Sequence, residues 1–99
     1  METNSHFFYV LLCNDNSLYA GYTNDLQKRL KTHNEGKGAK YTRARRPVLL
    51  CHAESFETKR EAMQAEYRFK QLTRKKKEQY IEEKRRSKEA VYVKTPDEF

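Results

Sequence analysis

Two tyrosines, an arginine, a histidine and a glutamate are the side chains here whose types and order best support chemistry on a phosphodiester bond. They are Tyr9, Tyr19, Arg29, His33 and Glu66. Hydrolysis of this bond needs a base for the attacking water and positive charge for the pentavalent phosphorus. Arginine presents a fixed, permanently charged fork to a phosphate, and a carboxylate can hold a divalent metal. The set therefore predicts metal-assisted phosphodiester cleavage.

The identity of the base stays open at the level of the sequence. A free phenol has a pKa of about 10 and needs a nearby cation to act as a base. An unperturbed imidazole, with a pKa of about 6.5, is the better base. We rank Tyr9 first and His33 second, with Tyr19 positioning the water. The ordinary alternative is that the tyrosines are core residues and the charged groups are solvated helix residues.

Composition favours one small domain with an anionic partner. The chain has 99 residues, a formal net charge of +7 and a pI of about 9.5, which favours nucleic acid before membrane. No apolar stretch approaches the roughly 20 residues of a membrane span. Cys13 and Cys51 lack the spacing of a metal site and are interpreted as small hydrophobes. We therefore expect a cytoplasmic protein with reduced thiols.

Residues 7–13 and 17–23 are apolar, β-prone runs separated by a turn, which predicts a hairpin. A two-residue turn would put Tyr9 and Tyr19 on opposite faces of the sheet. A three-residue loop with Asn16 in the left-handed conformation instead pairs residue 9 with residue 21 and puts both phenols on one face. We choose the three-residue loop because the other face then collects only apolar side chains. These are Phe8, Val10, Leu12, Leu18 and Ala20.

A first helix follows the hairpin. Asn24 has the side chain of an N-cap, and Gln27 three residues later completes a capping box. The helix is expected to end near Asn34. Within it, Arg29 and His33 lie one turn apart on the same stripe.

The second half of the chain predicts a strand and two helices. Residues 48–53 are apolar on both faces, as in a strand covered on both sides. Thr58 and Glu61 form a capping box that opens the second helix. Glu66 lies at the edge of that helix's apolar stripe. A third helix is expected over residues 74–87, capped by Thr73.

A basic loop, residues 36–46, separates the first helix from the third strand. Its cations suit backbone phosphates and its one aromatic residue suits stacking on a base. The alternative is a flexible, solvated connector. The predicted nucleic-acid-binding residues are Lys37, Lys40, Tyr41, Arg43, Arg45 and Arg46.

The chain resembles the GIY-YIG nuclease domain from about residue 7 to residue 81. Phe7-Phe8-Tyr9 takes the place of the first triplet, and Tyr19-Ala20-Gly21 takes the place of the second. Arg29 and His33 match the helix residues that follow. Glu66 matches the acid of the later helix. The triplets alone are weak signals, but their spacing joined to the other residues makes a strong one.

The loop run over residues 36–43 resembles the small stand-alone bacterial members in particular. The chain departs from the family pattern at Phe7, which replaces glycine, at Phe8, which replaces isoleucine, and at Ala20 in the second triplet. These positions concern packing more than chemistry.

The resemblance implies an α/β (α+β) domain over residues 7–87. Its small, three-stranded, mainly antiparallel sheet is flanked by helices in the order β-β-α-β-α-α. We expect residues 1–6 to form a flexible N-terminus and residues 88–99 to form a loose C-terminal tail.

The resemblance also implies a metal-dependent endonuclease. DNA is the favoured partner, and Glu66 holds one divalent metal, Mg²⁺ before Mn²⁺. The family domain is often joined to a separate DNA-binding region, which we do not find here. Cleavage is then structure-selective or weakly specific, or depends on a protein partner. A catalytically silent nucleic-acid-binding module and an adaptor protein are the competing hypotheses.

Overall fold

The computed structural model describes residues 5–87 and 92–93. Most of both predicted flanking segments, residues 1–4, 88–91 and 94–99, therefore lies outside the described residues. The elements are β1 (His6–Leu12), β2 (Leu18–Thr23), α1 (Leu26–Asn34), α2 (Lys40–Arg43), β3 (Leu49–Phe56), α3 (Lys59–Lys70), α4 (Arg74–Ser87) and β4 (Tyr92–Val93).

The strands form one antiparallel sheet in the order β2-β1-β3-β4. The predicted β-β-α-β-α-α order and the antiparallel sheet flanked by helices are confirmed. Two elements are additional: the short helix α2, inside the predicted loop, and the two-residue strand β4 beside β3. None of the helices in the described part of the chain is long and apolar enough to cross a membrane.

The hairpin has the register that the three-residue loop predicts. Leu11 pairs with Tyr19 and Tyr9 pairs with Gly21, and Asn16 has a φ of 70°. A Cβ atom on residue 21 would lie 2.5 Å from the Tyr9 hydroxyl. Glycine at this position is therefore what leaves room for the phenol.

Consecutive strand residues point to opposite sides of the sheet. Residues on both sides are buried, so both faces of the sheet are covered. One face packs against α3 and α4, and the other packs against α1. The first face holds Phe8, Val10, Leu12, Ala20 and Cys51 with Ala65, Phe69, Tyr80 and Ile81. The second holds Tyr9, Leu11, Cys13, Val48 and Ala53 with Tyr19, Leu26, Leu30 and Leu50.

Strand β3 is longer than predicted and irregular. It continues to Phe56 because it pairs with β1 as far as His6. Its register against β1 shifts between Val10 and Leu11, so Cys51 has no partner opposite it. The two buried thiols, Cys13 and Cys51, lie on opposite faces of the sheet and are free.

Side-chain caps mark the starts of α1 and α3, and one of the two predicted caps was wrong. The α1 cap is Asp25, whose carboxylate accepts a hydrogen bond from the Lys28 amide at 3.1 Å, and the prediction of Asn24 was wrong by one residue. The Thr23 hydroxyl accepts from the Asp25 amide at 3.1 Å, which holds Asp25 at the capping position. The predicted cap of α3 is confirmed, since the Thr58 hydroxyl accepts from the Glu61 amide at 3.1 Å.

Candidate active site

The Tyr9 hydroxyl is the point at which two other predicted catalytic side chains, Arg29 and His33, meet. It lies 3.0 Å from His33 Nε2, and Arg29 donates to it through Nε at 3.4 Å. Burial is the main reason why the pKa of Tyr9 is raised above its ordinary value of 10.0. The hydrogen bond from Arg29 opposes this shift, while the electrostatic influences of Tyr19 and of the Glu66 carboxylate add to it.

A hydrogen-bond chain fixes which nitrogen of His33 carries the proton. The Thr42 hydroxyl donates its only hydrogen to the Ala39 carbonyl oxygen at 2.9 Å. It must then accept from His33 Nδ1, which lies 2.8 Å away. Nδ1 is therefore protonated, and Nε2 carries the lone pair that accepts from the Tyr9 hydroxyl. In this state the Tyr9 proton points at a basic nitrogen.

Burial lowers the pKa of His33 below its ordinary value of 6.5, and the positive charge of Arg29 lowers it further. His33 is completely buried and Tyr9 is 2% exposed. Tyr19, Arg29 and Glu66 are partly exposed. The site therefore has a buried Tyr9–His33 pair at its base, and three partly exposed side chains beside that pair.

Thr42 and Gly38 position the imidazole, and the sequence did not single out either residue. Thr42 is buried on α2. A Cβ atom on residue 38 would overlap His33 Nδ1, so glycine lets the backbone pass against the ring. The run from 36 to 43 resembles the small stand-alone members of the family, and that resemblance is the signal that could have marked both residues.

Tyr19 connects the site to the basic loop. Its ring lies edge-on to His33, with the ring centres 5.5 Å apart, and stacks on Tyr41 at 5.9 Å. The Arg45 guanidinium lies 3.9 Å from the centre of the Tyr41 ring. Tyr41 is 39% exposed. It therefore offers one aromatic surface beside the site while already contacting two side chains.

The predicted phosphate-binding cations fall into two groups. Arg45 donates to Asp15 at 2.9 Å and to the Tyr41 carbonyl oxygen at 2.8 Å. Arg46 donates to the Arg43 carbonyl oxygen at 2.9 Å. These two arginines hold the loop in place.

The second group consists of Lys37, Lys40 and Arg43. All three are exposed, and within the described residues their side chains make no ion pair. They are therefore available to an external anion.

Glu66 is the carboxylate whose charge contributes to the raised pKa of Tyr9. Its side chain is 15% exposed, and one oxygen lies 2.7 Å from the Lys70 ammonium. Among the described residues, no group of three or more His, Cys, Asp or Glu side chains is placed to hold a metal ion. Mg²⁺ is commonly held by one or two carboxylates together with waters and substrate phosphates. A lone, partly exposed carboxylate therefore fits Mg²⁺ bound jointly with a substrate, and does not fit an all-protein metal site.

Comparison with known proteins gives matches over nearly the whole chain. The family model described as the GIY-YIG catalytic domain matches residues 5–89. A UPF0213 protein of Bacillus velezensis is 99% identical over 99 residues, which is 100% of both chains. The UPF0213 protein YazA of Bacillus subtilis is 80% identical over the same full length.

Two solved structures share the fold. The solution NMR structure of a UPF0213 protein from Bacillus halodurans has a TM-score of 0.54 at 51% identity, and covers 80% of this chain and 84% of that one. The solution NMR structure of a protein from E. faecalis has a TM-score of 0.56 at 55% identity, and covers 82% and 88%.

Proposed function

Because the chain belongs to the family of GIY-YIG catalytic domains, we propose that it is a metal-dependent endonuclease that hydrolyses phosphodiester bonds in DNA. Membership of this family indicates nuclease chemistry on nucleic acid. The observation that carries the proposal is the hydrogen-bonded chain from Thr42 through His33 to Tyr9, with Arg29 bonded to the same phenol. A buried structural tyrosine needs one hydrogen-bond partner for its hydroxyl, whereas here an oriented imidazole and a guanidinium both bond to it.

Tyr9 is the proposed base. It can take a proton from water because His33 accepts the proton that the phenol already carries. Because burial raises the pKa of Tyr9, the phenol holds its proton at neutral pH and cannot act as a preformed phenolate. As water attacks phosphorus, its proton passes to the Tyr9 oxygen while the Tyr9 proton passes to His33 Nε2. The result is a P–O bond, a neutral phenol and an imidazolium whose Nδ1–H still donates to Thr42. Tyr19, partly exposed on the same face, positions the water.

Arg29 binds the scissile phosphate and Glu66 holds the metal. The Nε of Arg29 contacts Tyr9, which leaves its terminal nitrogens for phosphate oxygens. A bound Mg²⁺, or Mn²⁺, would supply Lewis-acid stabilisation of the charge that develops on those oxygens. The P–O bond to the leaving sugar oxygen breaks, and that oxygen takes its proton from solvent.

A panel of branched, nicked, single-stranded and duplex DNA, with RNA for comparison, tests the proposal. Each substrate is incubated with Mg²⁺ or Mn²⁺ and again with EDTA. Metal-dependent cutting of DNA is the expected result. Tight binding without cutting would instead indicate a silent binding module, and absence of both would indicate an adaptor. A cytoplasmic location and a protein partner that supplies specificity stay predictions.

Loss of two loop cations should weaken DNA binding. Changing Lys37 and Lys40 together to alanine is expected to lower the slope of log Kd against log salt by about 1.8 on duplex DNA, since each phosphate contact contributes about 0.9. Binding is measured by fluorescence anisotropy in EDTA between low and moderate salt.

The matched control removes two cations from α4, by changing Lys75 and Lys76 to alanine. It alters the net charge equally but leaves the loop intact. Equal slopes for the two double variants would mean that only net charge matters and that the loop is a solvated connector.

A further inference from the structure

Among the described residues, the large hydrophobic side chains left exposed are Tyr41, Met63 and Tyr67, at 39%, 46% and 66%. Tyr41 lies on α2, next to Thr42. Met63 and Tyr67 lie on α3, the helix that carries Glu66. Both elements that expose these side chains, α2 and α3, therefore also supply a residue to the candidate active site, Thr42 and Glu66 respectively.

Helix α3 places Glu66 between its buried stripe and this exposed surface. Its buried stripe is Ala62, Ala65 and Phe69. Met63 precedes Glu66 by three residues, and Tyr67 is one turn beyond Met63, so both lie on the solvent side of the glutamate. A nucleic-acid strand bound at Glu66 would reach Met63 and Tyr67 within one or two helical turns of about 5.4 Å each.

A shallow, open surface depression of about 850 Å³ lies on this solvent side of α3, and its lining residues all belong to that helix. We call it the α3 outer groove. Three of its six lining residues are cations, two are the exposed Met63 and Tyr67, and none is acidic. The lining residues are Lys59, Arg60, Met63, Gln64, Tyr67 and Arg68.

We infer that the α3 outer groove binds the nucleic-acid strand on the Glu66 side of the scissile phosphate, opposite the basic loop. This inference rests on the proposed function. Lys59 and Arg60 contact phosphates, and a base stacks on Tyr67 against Met63. The charge of the groove suits an anion, and an exposed ring beside cations is the pattern of single-strand contacts.

A second copy of the chain fits the groove less well. An interface between two such grooves would bring three cations against three cations. It would also bury only two large apolar side chains from each copy, whereas a stable interface buries about 800 Å² per partner. An acidic protein would match the charge, but it would not account for the position of the groove beside Glu66.

The test uses the full chain and DNA in EDTA, so that binding is measured without cutting. The probes are a labelled single strand and the duplex of the same sequence. Tyr67→Ala is expected to weaken binding of the single strand by about fivefold to 150-fold, the range for one stacked base. The effect on the duplex is smaller because paired bases cannot stack on the ring. Tyr67→Phe, which keeps the ring, retains wild-type affinity.

The contribution of the groove cations to binding is measured from the salt dependence of the single-strand affinity. Changing Lys59 and Arg60 to alanine lowers the single-strand slope by about 1.4, at about 0.7 per contact. The Lys75 and Lys76 double variant controls for net charge. Circular dichroism melts of every variant check the fold, and Tyr67→Ala should melt like wild type because its side chain is mostly in solvent.

Unchanged single-strand affinity in Tyr67→Ala, with a wild-type melt, overturns the inference. The inference is also overturned if wild type forms a dimer in sedimentation, or captures an acidic protein, and Tyr67→Ala abolishes that association while DNA binding stays unchanged. Failure of the proposed function looks different. If wild type cuts nothing with Mg²⁺ or Mn²⁺ but Tyr67→Ala binds more weakly, the groove assignment stands and the nuclease assignment falls.

Discussion

Replacing Glu66 with glutamine is expected to abolish chelator-sensitive cleavage while the protein stays folded. Lewis-acid stabilisation by a metal is worth several kcal/mol, so its loss should slow cutting by about a thousandfold or more. The Glu66 side chain is 15% exposed, its ion pair among the described residues is with the half-exposed Lys70, and glutamine keeps its shape. The free energy of unfolding should change by about 1 kcal/mol or less. Cleavage, binding and urea unfolding are measured on the same preparations.

Glu61→Gln is the matched control for this experiment. It makes the same chemical change on the same helix, at an exposed position in the first turn of α3, and should cut like wild type. Cutting by Glu66→Gln at the wild-type rate would show that the activity comes from another site or from a contaminant. The metal assignment of Glu66 would then be wrong.

Removing the Tyr9 hydroxyl or the His33 imidazole should slow cleavage by about 10²–10⁴-fold, the usual contribution of a general base. Tyr9→Phe keeps the ring that packs in the sheet and removes only the oxygen that moves the proton. His33→Ala removes the acceptor of that proton. Because the two act as one relay, the double variant should be no slower than the slower single variant. Rates are measured in single-turnover experiments with DNA binding checked in parallel.

Additive losses in the double variant would contradict the relay. Each group would then act independently, and His33 would serve only to hold the phenol. Thr42→Val separates the two cases further, because it keeps the shape of the side chain and removes the acceptor of His33 Nδ1–H. We expect it to lower the rate without changing the affinity for DNA.

The relay also sets the pH dependence of cleavage. His33 can accept a proton only while it is neutral, and its pKa is lowered from 6.5. The rate attributable to the relay should therefore persist at pH 6.5 and fall at lower pH, as the imidazole becomes protonated. Loss of that rate at or above pH 7 would contradict the assignment.

The same shift affects stability. The unfolded chain binds a proton on this histidine at a higher pH than the folded protein does, so the free energy of unfolding falls as the pH drops below 6.5. Below the folded-state pKa both states bind the proton and the loss levels off. His33→Ala should lack this contribution, which urea titrations at several pH values would show.

The hairpin register could be read from neighbouring residues in the sequence. Strand side chains alternate with a period of two, so of a two-residue and a three-residue loop the three-residue loop puts Tyr9 and Tyr19 on one face and the apolar set on the other. Asn16 tolerates the left-handed conformation of that loop, and Gly21 leaves the space for the phenol. These are local rules, and local rules can be read from neighbouring residues. The i,i+4 placement of Arg29 and His33 follows from helix geometry in the same way.

The direction of the proton and the different roles of the basic-loop cations could be read only from the folded chain. Thr42 meets His33 across nine positions of the chain, and Arg45 meets Asp15 across thirty. No periodicity or residue type encodes such contacts, so Thr42 was passed over and Arg45 was counted with the free cations. Whether an arginine braces a loop or binds a phosphate depends on which acceptors the fold brings within about 3 Å of it. That is a property of the packed chain and not of the residue.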